Sequence, residues 1–578
     1  MIQGLHVFVP RRSRLATALW IAVGAVAALT LGGALKQSPA ATVNSSWGVL
    51  AAEQAARGFG GTPIAVRMAD PDDLSRSRLI PVTGGAPFDG WAPYLFRSMG
   101  MNMGEALRTT FLAAWVFSAM GWIGVFDQSG AQGARLAALA LVFVATRFVH
   151  SNSATYEGGD LLLLAIFPWA LLLTLFAWRP ASKVDAAGFS FSAGLFLPAL
   201  SLVKYSAAVS AGAVGLAWIL QTARGGVSWK RLAIFALGVG AGALLLDAWG
   251  NLGAQSPIFP LEERAANWDG LWFFADLPLA PTDLDAMLRW LLLHPSRPVP
   301  EGEIILAGCG GMLLLALLLL ALARPAKERS VVSVSACPRR AAPREKLAEA
   351  WAAFCALTAP QMLALTMALV APAVFALLAW RGSEIGVEPR HLRPAALSGL
   401  AVGFGWLLRR WRSGRAFPCG LAFALLGALF AVPLLYGLTT LVDKTLIRAP
   451  TSRGLVGMCG VRLDELAPRG RASEFREDLQ HLAGGRRAVF WLPTPTLAME
   501  LVEERLIVTQ AAFQNPETLS KLKYRGRPEG GVIVVYPDAF AEDGRLARLL
   551  RAFRDVPSAA WRLHRLPRAP GWNAAFAE

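Results

Sequence analysis

Metal-ligand spacing is missing from this sequence: its five cysteines form no Cys-x-x-Cys pair and no cluster with its six histidines. That removes zinc ribbons and dithiol redox sites from consideration. Cys309 and Cys419 fall in apolar runs, Cys337 and Cys355 in or beside a basic stretch, and Cys459 in the C-terminal region, so no structural disulfide is expected. Charges inside the long apolar runs are also scarce, Asp247 near the end of one run being an exception. A transporter would carry ionisable residues in mid-span. No repeat of fixed period and no inverted repeat is visible, which again disfavours a secondary transporter. The last part of the chain holds no glycine-rich phosphate fingerprint and is not read as a nucleotide domain.

What the sequence has in quantity is apolar residue. Hydrophobic residues make up 54% of the 578, and the mean hydropathy is +0.44. Those values exclude an ordinary soluble globule and point to an α-helical polytopic membrane protein. Trp20, Trp178, Trp249, Trp380 and Trp411 sit near the ends of apolar runs, the place of an interfacial belt. The net charge of +16 invites a nucleic-acid reading. The arginines cluster beside the apolar runs, however, so positive-inside topology accounts for much of the excess, and nucleic acid is not an expected partner.

Apolar runs near span length begin at Leu15, Thr109, Arg135, Asp160, Gly188, Tyr205, Leu232, Ile304, Gln361, Ala395 and Leu421, giving about eleven spans. Leu136 to Val149 is short for a full crossing, and the pair from Gly188 to Leu220 is broken by "LPALSLVKYS" and reads as a hairpin that need not cross fully. Arg11, Arg12 and Arg14 precede a first run longer than a signal-peptide core. It reads as an uncleaved signal anchor with a cytoplasmic N-terminus, a cleaved signal being the alternative. Lys and Arg then recur in alternate loops, on one side when the runs are counted in order. An odd number of spans puts the C-terminus outside. The Ala, Arg and Leu bias with few Lys points to a GC-rich bacterial genome, hence to a bacterial inner membrane.

The chain divides into a membrane domain, residues 1–442, and a soluble extracytoplasmic α/β domain, residues 443–578. In the latter "RAVFWLP" and "GGVIVVYP" read as buried strands, and "RASEFREDLQHLA" and "GRLARLLRAF" as amphipathic helices. The first outer connection, residues 36–108, is long. "NSSWGVLAAEQAARGFGG" reads as a short helix capped by Asn44, Ser45 or Ser46 and stopped at Gly58. "APFDGWAPYLFRSMGMNMGEALR" reads as an aromatic amphipathic segment on the membrane surface. A structured connection of that length is expected to roof a site at one membrane face. In the Asn251 to Glu303 loop, "LDAMLRWLLLHP" reads as a surface-lying helix.

Four groups of outer-face residues carry chemistry. Tyr156, Glu157 and Asp160 follow the third run: a carboxylate there activates an acceptor or holds a cation, or else the acids cap the next helix. Lys204 and Tyr205 lie between two runs, where a lysine suits a lipid phosphate or merely snorkels. Arg390, His391 and Arg393 in "EPRHLRPAAL" lie where the charge rule prefers fewer cations. Arg390 and Arg393 are three apart, and guanidinium forks suit phosphate, exposed anchors being the alternative. Glu53, Asp70, Asp72, Asp73 and Asp89 form the carboxylate set of the first connection, with "ADPDDLSRSR" reading as a polar turn and Asp89 as a turn residue or a base.

In order, spacing and common placement, these features resemble the GT-C superfamily, multi-spanning glycosyltransferases that use polyprenyl-phosphate sugars, similar to the protein mannosyltransferase and aminoarabinose transferase group. The segments that carry it are the Asn44 helix, "PFDGWAPYLFRSMGMNMGEALRTTFL", "HSNSATYEGGDLLLL", "GLFLPALSLVKYSA" and "EPRHLRPA". The resemblance implies an α-helical membrane protein with an extracytoplasmic α/β domain, transferring a sugar from a polyprenyl-phosphate donor to a lipid, glycan or protein acceptor at the outer face. Neither cofactor nor metal is implied. Glu157 would match the second-loop acid, and Lys204, Arg390 and Arg393 the contacts to lipid phosphate, with Tyr156, Asp160, Tyr205 and His391 beside them. The family usually has an aspartate near Asn44 as general base, and an asparagine takes no proton usefully. Then Glu53 or Asp89 replaces it, the family aspartate falls in another register, or Asn44 marks reduced or lost activity. Two rivals stand beside the enzyme: a transporter or flippase of lipid-linked glycans, and a non-catalytic GT-C relative.

Overall fold

The computed structural model describes residues 13–58, 65–82, 86–151, 155–179, 183–251, 269–281, 352, 354–381, 389–412, 431, 433–447, 456–457, 459–463, 472–509 and 516–578. The run expected from Ile304 and the helix expected at "LDAMLRWLLLHP" lie outside the described residues; of the run expected from Leu421, residues 431 and 433–441 are described, and they are helical.

The helices that matter for the site are α1 (Arg14–Lys36), α2 (Val43–Ala56), α3 (Phe88–Arg97), α4 (Met103–Gln128), α5 (Ala134–Ala145), α6 (Arg147–Ser151), α7 (Gly158–Trp178), α8 (Lys183–Val203), α9 (Ala207–Ala223), α10 (Trp229–Asn251), α11 (Trp272–Asp276), α12 (Ala359–Trp380), α13 (Arg393–Arg412) and α14 (Ala472–Ala483). Six helices among the described residues are long and apolar enough to cross a membrane: α1, α4, α7, α8, α10 and α12. The runs expected at Arg135 and Tyr205 form shorter apolar helices, α5 and α9. The run expected at Ala395 becomes α13, which carries Arg409, Arg410 and Arg412 in its last turn. α8, expected as half of a hairpin that need not cross fully, is long and apolar enough to cross by itself. It packs on α10 at a small-residue crossing, where a Cβ on Gly194 would stand 2.1 Å from the Phe235 carbonyl oxygen. Such close backbone approach is how helices associate in lipid.

The first long connection folds into more than the sequence suggests. α2 is capped by Thr42, whose side chain accepts the Ser45 N–H, so Asn44 and Ser45 lie inside the first turn rather than at the cap. Gly58 ends the helix with φ +77°. Between α2 and α3 the "ADPDDLSRSR" stretch is part of an antiparallel hairpin, β2 (Ala65–Asp70) and β3 (Asp73–Pro81). α2 and α3 then cross so closely that a Cβ on Gly90 would stand 2.1 Å from the Gly48 carbonyl oxygen. α4 opens with a capping box, Asn102 and Glu105 satisfying each other's backbone N–H.

Two short strands tie this connection to the next. β1 (Ala40–Ala41) pairs in parallel with β4 (Thr155–Tyr156), and the Thr42 N–H donates to the Tyr156 carbonyl at 3.0 Å. Arg462 joins the same ladder through its N–H to the Pro39 carbonyl, 2.8 Å. The C-terminal region is a five-stranded sheet in the order β6-β5-β7-β9-β8: β5 (Val489–Leu492), β6 (Arg505–Val508), β7 (Val532–Pro537), β8 (Arg562–Arg565) and β9 (Trp572–Ala577). β6, β5 and β7 run parallel, and β7, β9 and β8 antiparallel. The sheet docks on the first connection: Ser46 Oγ and Thr496 Oγ1 are 2.8 Å apart, and Gln54 Nε2 donates to the Val502 carbonyl at 2.8 Å. Hairpin and sheet join where the Leu74 N–H meets the Arg525 carbonyl, 3.0 Å.

The α2–α3 crossing yields a test. Gly90→Ala forces the helices apart and is expected to destabilise the fold by about 1–3 kcal/mol, the usual cost of overpacking. A thermal midpoint in detergent equal to that of the native chain would remove the crossing from the account.

Candidate active site

The first connection, the α8–α9 turn and the turn ahead of α13 meet the first turn of α7, at one end of α7, α8 and α13, around a cavity of about 200 Å³. α7 begins at Gly158, so Glu157 holds its N-cap position and Asp160 its first turn. Lys204, Tyr205 and Ser206 form the turn between α8 and α9, and Arg390 and His391 the turn that leads into α13. Asn44, from the first turn of α2, and Asp89, from the first turn of α3, complete the lining.

Asp160 is 6% exposed. One of its oxygens accepts from Lys204 Nζ, and the other from Arg390 Nη1 at 3.3 Å. Arg390 Nη1 also reaches Glu157 Oε1 at 2.7 Å. Glu157 therefore spends its carboxylate on a guanidinium and makes no side-chain cap bond to α7. Burial and the neighbouring Asp160 push the Glu157 carboxyl above its usual range, against the pull of Arg390 and Lys204. His391 Nδ1 lies 3.1 Å from Ser206 Oγ. Its pKa is driven down to about 3, by burial first and then by the cations around it, so the ring is neutral.

Asp89 has a different environment. It is 6% exposed. Ser45 Oγ donates to its Oδ2 at 3.2 Å and itself accepts the Gly158 N–H at 3.0 Å. Oδ1 is buried with no hydrogen-bond partner among the described residues. The Tyr156 hydroxyl donates to the Asp89 carbonyl oxygen at 3.1 Å, which fixes the backbone. Desolvation, above all, lifts the carboxyl to about 7; Ser45 and Lys204 pull it down, while Asp160 and Glu157 add to the rise. A carboxyl poised near neutrality takes and returns protons at working pH.

The structure thus gathers Asn44, Asp89, Glu157, Asp160, Lys204, Tyr205, Arg390 and His391 around one cavity. Tyr156 stands behind it, fully buried under Asp89. Arg393 does not line it: its guanidinium lies 4.3 Å from the Phe148 ring centroid. Glu53 is also elsewhere. It is 2% exposed and held by Arg57 Nε at 2.8 Å and Arg97 Nε at 3.1 Å, which leaves it a structural counter-ion between α2 and α3 rather than a group at the cavity. Sequence reasoning assigned no site role to Ser45, Ser206 or Thr42. "NSSW" beside an acidic segment offered a hydroxyl, but only the α2–α3 crossing brings it to Asp89. Among the described residues no group of three or more His, Cys, Asp and Glu side chains is placed to hold a metal ion.

The raised carboxyl carries a sign. Its folded-state value, about 7, lies above the ordinary aspartate value of 3.8, so the stability it contributes is complete below the lower value and is lost as pH rises to the upper one. Asp89→Asn removes that loss. The thermal midpoint of the variant, relative to the native chain, is expected to rise between about pH 4 and about pH 7 and to level off above that; a difference that does not change with pH would refute the assignment.

No family model matches the chain, and no curated protein matches it in sequence. Among solved structures it is similar to the crystal structure of ArnT from Cupriavidus metallidurans in the apo state, with a TM-score of 0.50 and 14% identity over 97% of this chain and 98% of that one. The crystal structure of the same ArnT bound to undecaprenyl phosphate aligns at a TM-score of 0.49 and 15% identity, over the same shares. At such identity the likeness is one of fold, and this chain shares the fold of that ArnT over nearly its whole length.

Proposed function

We propose that this protein transfers a sugar from a polyprenyl-phosphate donor to an acceptor at the outer face of the membrane, with inversion at the anomeric carbon. The observation that carries the reading is the meeting, in one cavity, of a carboxyl with a pKa of about 7 and two cations, Lys204 and Arg390. In the proposed reaction an acceptor hydroxyl attacks the anomeric carbon opposite the phosphate. The new C–O bond forms as the C–O bond to phosphate breaks, and the electron pair leaves with the phosphate oxygen. The hydroxyl proton passes to Asp89. Lys204 and Arg390 stabilise the charge that develops on the departing phosphate. Glu157 and Asp160 hold those cations in position before the donor arrives. Asn44 lines the same cavity, and Asp89 supplies the proton acceptor that an amide lacks.

An apolar cavity of about 600 Å³ adjoins the polar one, between α3, α4, α7 and α8, and Val203 lines both. Phe88, Phe96, Phe117, Trp169 and Phe196 form its walls. A donor with a charged head and a prenyl tail matches that junction of polar and apolar space. The outer-face placement is supported by the excess of Lys and Arg in the opposite loops. In this reading the region from residue 443 onward is an extracytoplasmic domain that covers the first connection and meets the acceptor, whether lipid, glycan or protein.

Purified protein in liposomes, supplied with a panel of polyprenyl-phosphate-linked hexoses and pentoses, tests the reading. Asp89→Asn is expected to cut turnover by about 10²–10⁴-fold, the usual range for a lost general base, while leaving polyprenyl-phosphate binding near native. Arg390→Ala is expected to weaken that binding as well as turnover. Native rates in both variants would end the proposal.

A further inference from the structure

The seam between hairpin β2–β3 and edge strand β6 encloses a second polar cavity, of about 330 Å³, which shares no lining residue with the candidate active site. Three arginines line it: Arg67 of β2, Arg487 ahead of β5, and Arg505, the first residue of β6. Like charges held in one cavity repel unless something of opposite sign sits between them. Of the two carboxylates there, Glu503 is already engaged by Arg57 on one oxygen and Arg476 on the other. Glu504 accepts from Gln480 Nε2 at 3.4 Å. Burial first, and Arg487 after it, hold the Arg505 guanidinium below the usual arginine range, against Asp73 and Glu529. The Nη2 of Arg505 is buried and has no hydrogen-bond partner among the described residues.

We propose that this seam is an anion subsite that takes a phosphate monoester, with Arg487 and Arg505 as its principal contacts and Arg67 at the rim. A phosphate monoester offers three acceptor oxygens, so two planar guanidinium forks bind it together in charge-assisted pairs. Its double negative charge opposes the positive excess of the cavity. Because one wall belongs to the hairpin of the first connection and the other to the C-terminal sheet, the bound anion also joins the two. The ester is carried either by a soluble phosphorylated glycan or by a lipid headgroup.

The test uses the full chain. Glycerol 1-phosphate is titrated calorimetrically into detergent-solubilised native protein and into Arg487→Gln, Arg505→Gln, Arg505→Lys and Arg390→Ala. Saturable binding is expected. It should weaken about tenfold or more in the two glutamine variants, less in Arg505→Lys, and stay native in Arg390→Ala, which separates this cavity from the candidate active site. Native thermal midpoints in the variants show that they are folded, and Arg505→Lys keeps the test alive if a glutamine variant is not. Nanodiscs with and without phosphatidic acid tell the sources apart: displacement of glycerol 1-phosphate by the lipid marks a headgroup, and its absence a soluble ester. No saturable binding, equal affinity in every seam variant, or loss confined to Arg390→Ala overturns the subsite.

Discussion

A single buried carboxylate, Asp160, binds two cations that arrive from distant parts of the chain, Lys204 from the α8–α9 turn and Arg390 from the turn ahead of α13. A buried ion pair is not a cheap source of stability, because each charge loses its water. What it supplies is geometry. Asp160 is the carboxylate that Lys204 and Arg390 share, so it holds the loops to one arrangement and keeps the cavity between them formed. The position of Asp160 in the first turn of α7 contributes, since the helix N-terminus favours a negative charge there.

The opposite wall is built without charge pairing. α2 and α3 approach to backbone contact at Gly48 and Gly90, and that approach sets Ser45 against Asp89 and Asp89 against Gly158. Deprived of water and of a cation of its own, the Asp89 carboxyl shifts to about 7, while Glu157 nearby is tied to Arg390. Two acids in one cavity thus acquire different duties from their surroundings: one is free to exchange a proton, and the other secures a cation. The C-terminal sheet closes this wall from behind through Thr496 and Val502, and Glu503 joins the Arg57–Glu53–Arg97 chain beneath α3.

Much of this was legible in the residues. Hydropathy marked the long helices α1, α4, α7, α8, α10 and α12, because a membrane span advertises itself by length alone. The strands "VFWL" and "VIVVYP" were equally plain as buried apolar runs. Charged residues at the ends of spans drew attention to Glu157, Asp160, Lys204 and Arg390, since a charge beside lipid needs a reason. The β2–β3 hairpin was hidden because one face is polar: "DLSRSRLIP" has no apolar alternation, and its partner surface is a sheet more than four hundred residues later. The separation of Asp89 from Glu53 was invisible for a similar cause. Both are acids of the same connection, and Arg57 together with Arg97, on the helix that also carries Asp89, decides which of them is neutralised. Likewise the role of Ser45 depends on a helix crossing, a three-dimensional fact that no local pattern records.

The account stands on Asp89 as an acid–base group whose burial tunes it to neutrality. The pH dependence of kcat in the native chain and in Asp89→Asn, measured with a saturating polyprenyl-phosphate sugar, addresses that directly. The native profile is predicted to rise with pH and level off above about 7, and the variant to be slow without that limb. The same limb persisting in Asp89→Asn, or a native profile with no break near neutrality, would contradict it.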